Sequence, residues 1–370
     1  LELDGRILVG GRPELYPFRL PLTLRERFAL IAAGARLRLA VARYERLSKP
    51  RDGETPSETR ARTLAYGDDR TFADWLGRLP GTTDALFRAT VTRSTAEPEE
   101  ISMGHGCGYF ALVWSAGKGL SYNVIGGTST LIDGIAAALP GRILLGAEVS
   151  SVTSEGPLRR VTFTHDGVVQ SVLARHVVLA TKAFDTARLV ADLPADTRAS
   201  LEAIPYGPTL VLGMLTDEQG PMPWDDLYAL ATPKRSFSMF FNIANVLRGD
   251  GERAPGGSLM VYRAGHAATE LFERSDAEIE RVFLDDLEAI YPETKGIVKE
   301  TLLLRMPRML PYVAPGRSAL QPPLEASLGN LHLAGDYMGG TYTDTAISTG
   351  QRAAAAILSS LEPVRETVAA

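Results

Sequence analysis

Asn330-Leu331-His332-Leu333-Ala334-Gly335-Asp336, then Tyr337 to Asp344, then Thr345 to Leu358, is the stretch that decides the fold. Leu331 to Ala334 is short and apolar, which predicts a strand. Gly335-Asp336 predicts a tight turn at its carboxyl end, and Tyr337 to Asp344 a polar loop containing Gly339 and Gly340. Thr345 to Leu358, carrying Ala346 and Ala353 to Ala356, predicts a helix. In that order the three pieces suit one wall of a nucleotide-cofactor site. A glycine lets backbone approach a diphosphate or polyol chain, and an aspartate beside it accepts hydrogen bonds from hydroxyls. The following helix aims free N–H groups and the positive end of its dipole at an electron-rich ring edge. An ordinary strand, turn and helix of an α/β core reads the same way, so the rest of the chain has to separate the two.

Working outward, Val177 to Thr181 is a continuous apolar run, the pattern of a parallel strand buried on both faces. Ala180 and Thr181 at its carboxyl end, one small and one hydroxylated, suit a crevice where a ligand meets backbone. Gly126-Gly127 leads into a helix that Thr128 or Ser129 would cap, followed by a strand at Arg142 to Leu145. A meander then runs through Ala147 to Val152, Val161 to Thr164, a turn at Asp166-Gly167, and Val168 to Leu173. Thr209 to Met214, Ser238 to Ile243 and Ser258 to Tyr262 form a second strand-rich layer, with a helix from about Asp276 to Ile290. Lacking strict strand-to-helix alternation, this layer predicts an α+β domain inserted into an α/β one.

Nearer the start, Leu20 to Leu47 predicts a long amphipathic helix with a buried stripe of Leu24, Phe28, Ile31, Ala35, Leu39 and Ala42, and a T-x-x-E capping box at Thr23 and Glu26. Its arginines, Arg25, Arg27, Arg36, Arg38, Arg43 and Arg46, read first as a solvated face and second as a surface that touches anionic lipid. Lys49 to Asp69 reads as a loop and Thr71 to about Val91 as helical. Gly104-His105-Gly106-Cys107-Gly108 invites a nucleophile or zinc reading. A nucleophile elbow would need glycines two residues either side of Cys107, where His105 and Tyr109 stand, and His165, His176, His266 and His332 are too scattered for zinc. The remaining reading is a glycine-rich turn at which backbone packs closely, with no metal site.

With 370 residues, 45% hydrophobic and 22% charged, the chain has enough apolar side chains for two cores. A net charge of -5 gives no basic field for a nucleic-acid backbone. One cysteine excludes an intrachain disulfide and favours a cytoplasmic protein, and no apolar run reaches the roughly 20 residues that span a bilayer. The opening Leu3 to Val9, with Gly10-Gly11, Pro13 and Pro17 close behind, reads as the middle of a fold.

These segments together resemble the flavin amine oxidase superfamily, which contains protoporphyrinogen oxidases, phytoene and related desaturases, and monoamine oxidases. The likeness is strongest on the protoporphyrinogen oxidase and phytoene desaturase side, and it spans Leu3 to Leu361. Leu331 to Asp336 is similar to the family's last strand and Gly-Asp pair, and Asp344-Thr345-Ala346 through Thr349-Gly350 stands where the family has Glu-Gly-Ala and Ser-Gly. Gly126-Gly127 with Glu148-Val149, Val178 to Thr181, and Arg308 to Gly316 carry the rest.

The resemblance implies FAD as cofactor, gripped by Val149 at adenine, Ala180 and Thr181 at the returning strand, Gly335 and Asp336 at the pyrophosphate and ribityl chain, and Asp344, Thr345 and Ala346 near the flavin's pyrimidine edge. It implies an α/β FAD/NAD(P)-binding (Rossmann-like) domain with an inserted mixed-sheet and helical substrate domain. The expected division is residues 1–122 and 191–325 for the substrate domain, and residues 123–190 and 326–370 for the FAD domain. The family's G-x-G-x-x-G turn is not among these residues, so the FAD domain is expected to be N-terminally incomplete. Other departures are Met306, where several relatives carry tryptophan, and Thr345, where glycine is usual. No aromatic cage is recognisable, and Lys182 and Lys234 read as surface charges. The implied activity is hydride removal from a small hydrophobic or polycyclic substrate at a C–C or C–N bond, with reoxidation by oxygen or a quinone. Arg308, Tyr312 and Tyr342 are the candidate substrate neighbours, in a cavity between Thr209 to Tyr262 and Leu20 to Val91, and no catalytic base is assigned. An amine oxidase acting on CH–NH2 groups and a flavin-free binding relative are the alternatives; no nucleic-acid partner is expected and peripheral membrane contact is left open.

Overall fold

The computed structural model describes residues 1–9, 16–114, 124–139, 141, 143–248 and 253–361. Gly10, Gly11 and Pro13, Arg142, and most of the Trp114 to Tyr122 segment lie outside them. In chain order the strands among these residues are β1 (Glu2–Leu3), β2 (Arg6–Ile7), β3 (Glu148–Glu155), β4 (Leu158–His165), β5 (Val168–Ala174), β6 (Val177–Leu179), β7 (Tyr206–Thr216), β8 (Ala229–Ala231), β9 (Met239–Asn242), β10 (Gly257–Ala264), β11 (Val298–Pro311) and β12 (Leu331–Leu333). The chain divides into two compact units, Leu1–Pro140 with Tyr206–Pro315, and Gly141–Pro205 with Gly316–Ala370.

The first unit is built on an antiparallel sheet of order β11-β7-β10-β9-β8. Alternation along the strands sends Leu210, Leu212, Leu259, Val261 and Phe240 to one face, where they are fully buried with Ile279, Phe283 and Leu287 of helix Asp276–Ile290. That helix starts on a Ser275/Glu278 capping box. Phe283 meets Phe237 edge to face at 6.0 Å, and each such buried ring contributes about 1.5–3 kcal/mol.

The helical part of this unit corrects three expectations. The long helix Leu24–Ser48 forms with its Thr23/Glu26 capping box, but its buried face is Leu30, Ala33, Leu37, Ala40 and Val41. The expected stripe is turned out: Leu24, Phe28, Ile31 and Leu39 are all exposed, as are Ala35 and Ala42. The helix is apolar on two opposite faces, and periodicity cannot tell which one meets the core. Second, the expected loop contains helix Pro56–Leu64, started by a Thr55/Glu58 capping box with proline at its first turn, a signal that was present in the sequence. Third, the Gly104 to Gly108 segment is helix Met103–Trp114, not a turn. Close packing is real: a Cβ on Gly104 would sit 1.7 Å from the Tyr66 carbonyl oxygen, and on Gly106 or Gly108 it would strike the rings of Phe72 or Tyr44. The helical cost of the glycines, about 1 kcal/mol each, is offset by what they let approach. Thr71 to Val91 forms two helices, Phe72–Leu76 and Gly81–Val91.

In the second unit β3, β4 and β5 form the expected meander, with a bulge at Ser150. Ile143 to Leu145 do not join it as a strand. Strands β6 and β12 pair in parallel, with Leu331 opposite Val177 and Leu333 opposite Leu179. The parallel pairing matches the apolar run, but burial on both faces does not: Leu179, Leu331 and Leu333 are buried while Val178 is 40% exposed. Arg159 links the meander to this pair, donating to the Asn330 side chain at 2.8 Å and pairing with Asp192.

Candidate functional site

Because β6 and β12 are parallel and in register, their carboxyl ends finish side by side, with the Ala334 N–H donating to the Leu179 carbonyl at 3.0 Å. Beyond them lie Ala180-Thr181 on one strand and Gly335-Asp336 on the other, the position at which open α/β sheets receive ligands. Gly335 has φ 152°. A Cβ there would lie 2.7 Å from the Tyr337 ring, so only glycine passes under that ring without a shift. Asp336–Met338 is a single 3-10 turn, and helix Thr343–Leu361 follows.

Thr349 joins the turn to the helix. Its hydroxyl accepts the Gly335 N–H at 3.0 Å and donates to the Thr345 carbonyl at 2.8 Å, and the side chain is fully buried. Arg317, itself buried, donates to the Tyr337 carbonyl at 2.7 Å, and Gln321 donates to the Met338 carbonyl at 2.6 Å. Thr181 and Thr186 share a hydroxyl hydrogen bond at 2.8 Å at the end of β6. A turn held at three points is pre-shaped for a ligand. In the sequence Thr349 stands four residues after Thr345, a spacing that puts the two on one helix face. Arg317 and Gln321 had no sequence signal, because their partners are backbone carbonyls about 20 residues away.

Burial holds the Asp336 carboxyl above the usual carboxylate range, against the Tyr337 N–H and the Lys182 charge, which pull it down. Of the other expected cofactor residues, Thr345 is buried and Ala346 half-buried in the first turn of the helix, Asp344 is exposed at its start, and Ala180 and Thr181 are exposed at the strand end. Val149 belongs to β3, opposite Phe163 and beside the bulge. Tyr342 precedes the helix and accepts the Thr345 N–H on its carbonyl. Arg308 and Tyr312 belong to the first unit: Arg308 is exposed at an irregularity of β11, and Tyr312 packs on the helical core and donates to Glu100 at 3.3 Å. Burial and the Glu100 charge push the Tyr312 hydroxyl up to about 12.

The donor set fits a flavin nucleotide: a carboxylate next to a glycine that permits close approach, hydroxyls at Thr181 and Thr345, and the N-terminus of a 19-residue helix. It does not fit nucleophilic or metal chemistry. Cys107 is buried and its thiol is pushed up to about 12 by desolvation, and no group of three metal-ligating side chains occurs among the described residues. Lys234 pairs with Asp4 at 2.9 Å, in keeping with its reading as a surface charge.

The fold matches solved amine oxidases. Wild-type putrescine oxidase bound to putrescine superposes with a TM-score of 0.68 at 18% identity, covering 92% of this chain and 77% of that one. Cyclohexylamine oxidase from Brevibacterium oxydans IH-35A gives 0.66 at 19% identity, covering 89% and 76%. A direct sequence search of curated proteins finds no match. The family model for flavin containing amine oxidoreductases matches residues 8–358, nearly the whole chain. The chain therefore belongs to the flavin containing amine oxidoreductase family and is an FAD-dependent oxidoreductase.

Proposed function

We propose that this oxidoreductase removes a hydride from a carbon bonded to nitrogen in a largely apolar amine. The observation that carries it is the common ending of β6 and β12 at Thr181 and Gly335-Asp336, ahead of the helix N-terminus. Bound FAD supplies the hydride acceptor. Asp336 would accept hydrogen bonds from the ribityl hydroxyls, Gly335 would let the pyrophosphate approach, and Val149 would meet adenine through its backbone. Asp344, Thr345 and Ala346 would lie along the pyrimidine edge, where the helix N-terminus favours negative charge. Thr349 would hold helix and turn in one geometry.

For the substrate, the second face of the five-stranded sheet is the candidate surface. It carries Leu302 and Leu304 of β11, Val211 of β7, Met260 and Tyr262 of β10, and Phe241 of β9, with the Phe241 and Tyr262 rings stacked at 5.8 Å. Arg308, Tyr312 and Tyr342 remain the proposed neighbours. The cavity between helix Gly81–Val91 and β10, about 130 Å³, is below the usual size of a ligand pocket. The two solved oxidases, named for putrescine and cyclohexylamine, support an amine. A second reading, dehydrogenation of a C–C bond in a hydrophobic or polycyclic substrate, is favoured by the apolar Leu302, Leu304, Val211 and Met260 on that sheet face.

The test is to saturate the purified chain with FAD, remove unbound flavin, and follow peroxide or quinone reduction with alkyl amines and with polycyclic hydrocarbons. Turnover of amines alone supports the first reading, and turnover of polycyclic compounds alone selects the second. A protein that stays colourless and gains no thermal stability with FAD sinks both and leaves a flavin-free binding relative.

A further inference from the structure

The outward stripe of helix Leu24–Ser48 is an apolar surface of unusual regularity. Leu24, Phe28, Leu39 and the preceding Phe18 are each at least 70% exposed, and Ile31 is 43% exposed. From Leu24 through Phe28, Ile31, Ala35 and Leu39 to Ala42 the exposed residues of the helix advance by three or four at a time, one continuous line opposite the buried Leu37 face. The helix is about 37 Å long at 1.5 Å per residue.

Charge borders this line on both sides. At 100° per residue, Arg25, Arg36 and Arg43 fall along one flank and Arg27 and Arg38 along the other, with Arg46 at the carboxyl end. The helix has two acidic residues, Glu26 and Glu45, and Glu26 is taken up by the Thr23 cap. A chain of net charge -5 thus concentrates six arginines around its exposed apolar line. Beside Arg43 a cavity of about 460 Å³ opens, lined also by Arg62, Arg70, Tyr66 and Trp75. Arg43 stacks on the Tyr66 ring at 5.4 Å and has no carboxylate partner among the described residues, whereas Arg62 pairs with Glu54 and Arg70 with Asp69. No helix among the described residues is long and apolar enough to cross a membrane.

We propose that this helix lies in the surface of an anionic lipid bilayer, with the Leu24, Phe28 and Leu39 side chains inserted at the acyl boundary and the cavity at Arg43 receiving an anionic headgroup. A helix apolar on one line and arginine-rich on both flanks has the composition of an interfacial helix. A second copy packed face to face would set arginine flank against arginine flank. An anionic bilayer meets both flanks with opposite charge, each arginine adding about 1 kcal/mol of attraction.

The test is co-sedimentation of the full chain with phosphatidylcholine vesicles, with and without phosphatidylglycerol. Binding is expected on the anionic vesicles, little on neutral ones, and less as salt rises. Leu24→Ser with Phe28→Ser and Leu39→Ser should cut partitioning about tenfold or more. The melting temperature should stay unchanged, because these side chains are exposed. Arg25→Glu with Arg46→Glu should cut it about thirtyfold or more by charge alone. Equal partitioning of wild type and the serine variant overturns the proposal. So does a wild-type dimer, seen by light scattering, that the serine variant dissolves while vesicles bind neither protein.

Discussion

The two units of this chain solve the problem of stability differently. Among the described residues, the largest fully buried side chains include Trp224, Phe237, Phe240 and Phe283 around the five-stranded sheet and Phe72, Leu37 and Ile101 in the helical part; Leu201 alone belongs to the second unit. The second unit has a parallel pair of three-residue strands and a meander whose last strand, β5, is exposed along nearly its whole length. What organises it near the candidate site is polar: Thr349, Arg317 and Gln321 on three consecutive stretches of one turn. The large buried side chains are concentrated in one unit and the ligand-shaped turn in the other, the division expected when a site is held by its ligand as well as by packing.

Phe283→Ala removes a fully buried ring and should cost about 3–5 kcal/mol in urea unfolding. A cost near that of an exposed residue would mean that the sheet is not where stability lies. Next, FAD at about one hundred times its Kd should stabilise what it binds by about 2.7 kcal/mol. In a melt that resolves two transitions, only the one altered by second-unit substitutions should move; a uniform shift would erase the distinction. Thr349→Val leaves the Gly335 N–H without its buried acceptor and should cost about 1–3 kcal/mol, with weaker FAD retention.

Asp336→Asn should separate stability from function. Because burial raises this carboxyl, the folded state favours the protonated form, so stability is fullest below the unfolded carboxylate range and falls as pH rises through the folded value. The neutral amide should therefore melt no lower than wild type at neutral pH while binding FAD about tenfold more weakly. The smallest effect is expected at His332, which shares a hydrogen bond with His176 at 3.3 Å and whose pKa is lowered by burial and by that neighbour. A depressed imidazole contributes stability above its ordinary 6.5 and loses it as pH falls below, so acidification should lower the second-unit transition and His332→Gln should flatten that slope.

Much of the fold was legible because it is written locally. The Thr23/Glu26 capping box marks the start of the long helix, Asp166-Gly167 marks a hairpin, and the Gly335-Asp336 turn sits between an apolar run and an alanine-rich helix, whereas the Thr55/Glu58 box is masked by a stretch rich in proline, glycine and charge that reads as a loop. The 14-residue β11 was not recognised, since Lys299, Glu300 and Arg305 interrupt its apolar pattern. Of the candidate site, Gly335, Asp336 and the helix behind them could be named from spacing, but the residues that clamp them could not.

Local pattern was enough for the long first helix and its Thr23/Glu26 cap, the Asp276 to Ile290 helix, the β3 to β5 meander and the glycine at the Gly335-Asp336 turn, because those follow from neighbours within about four residues. Only the tertiary structure decided that Leu24, Phe28 and Leu39 face outward, that three glycines around Cys107 serve helix packing, and that Thr349, Arg317 and Gln321 meet at one turn. Each of those depends on which surface is opposite, and a one-dimensional pattern carries no record of what lies across from it.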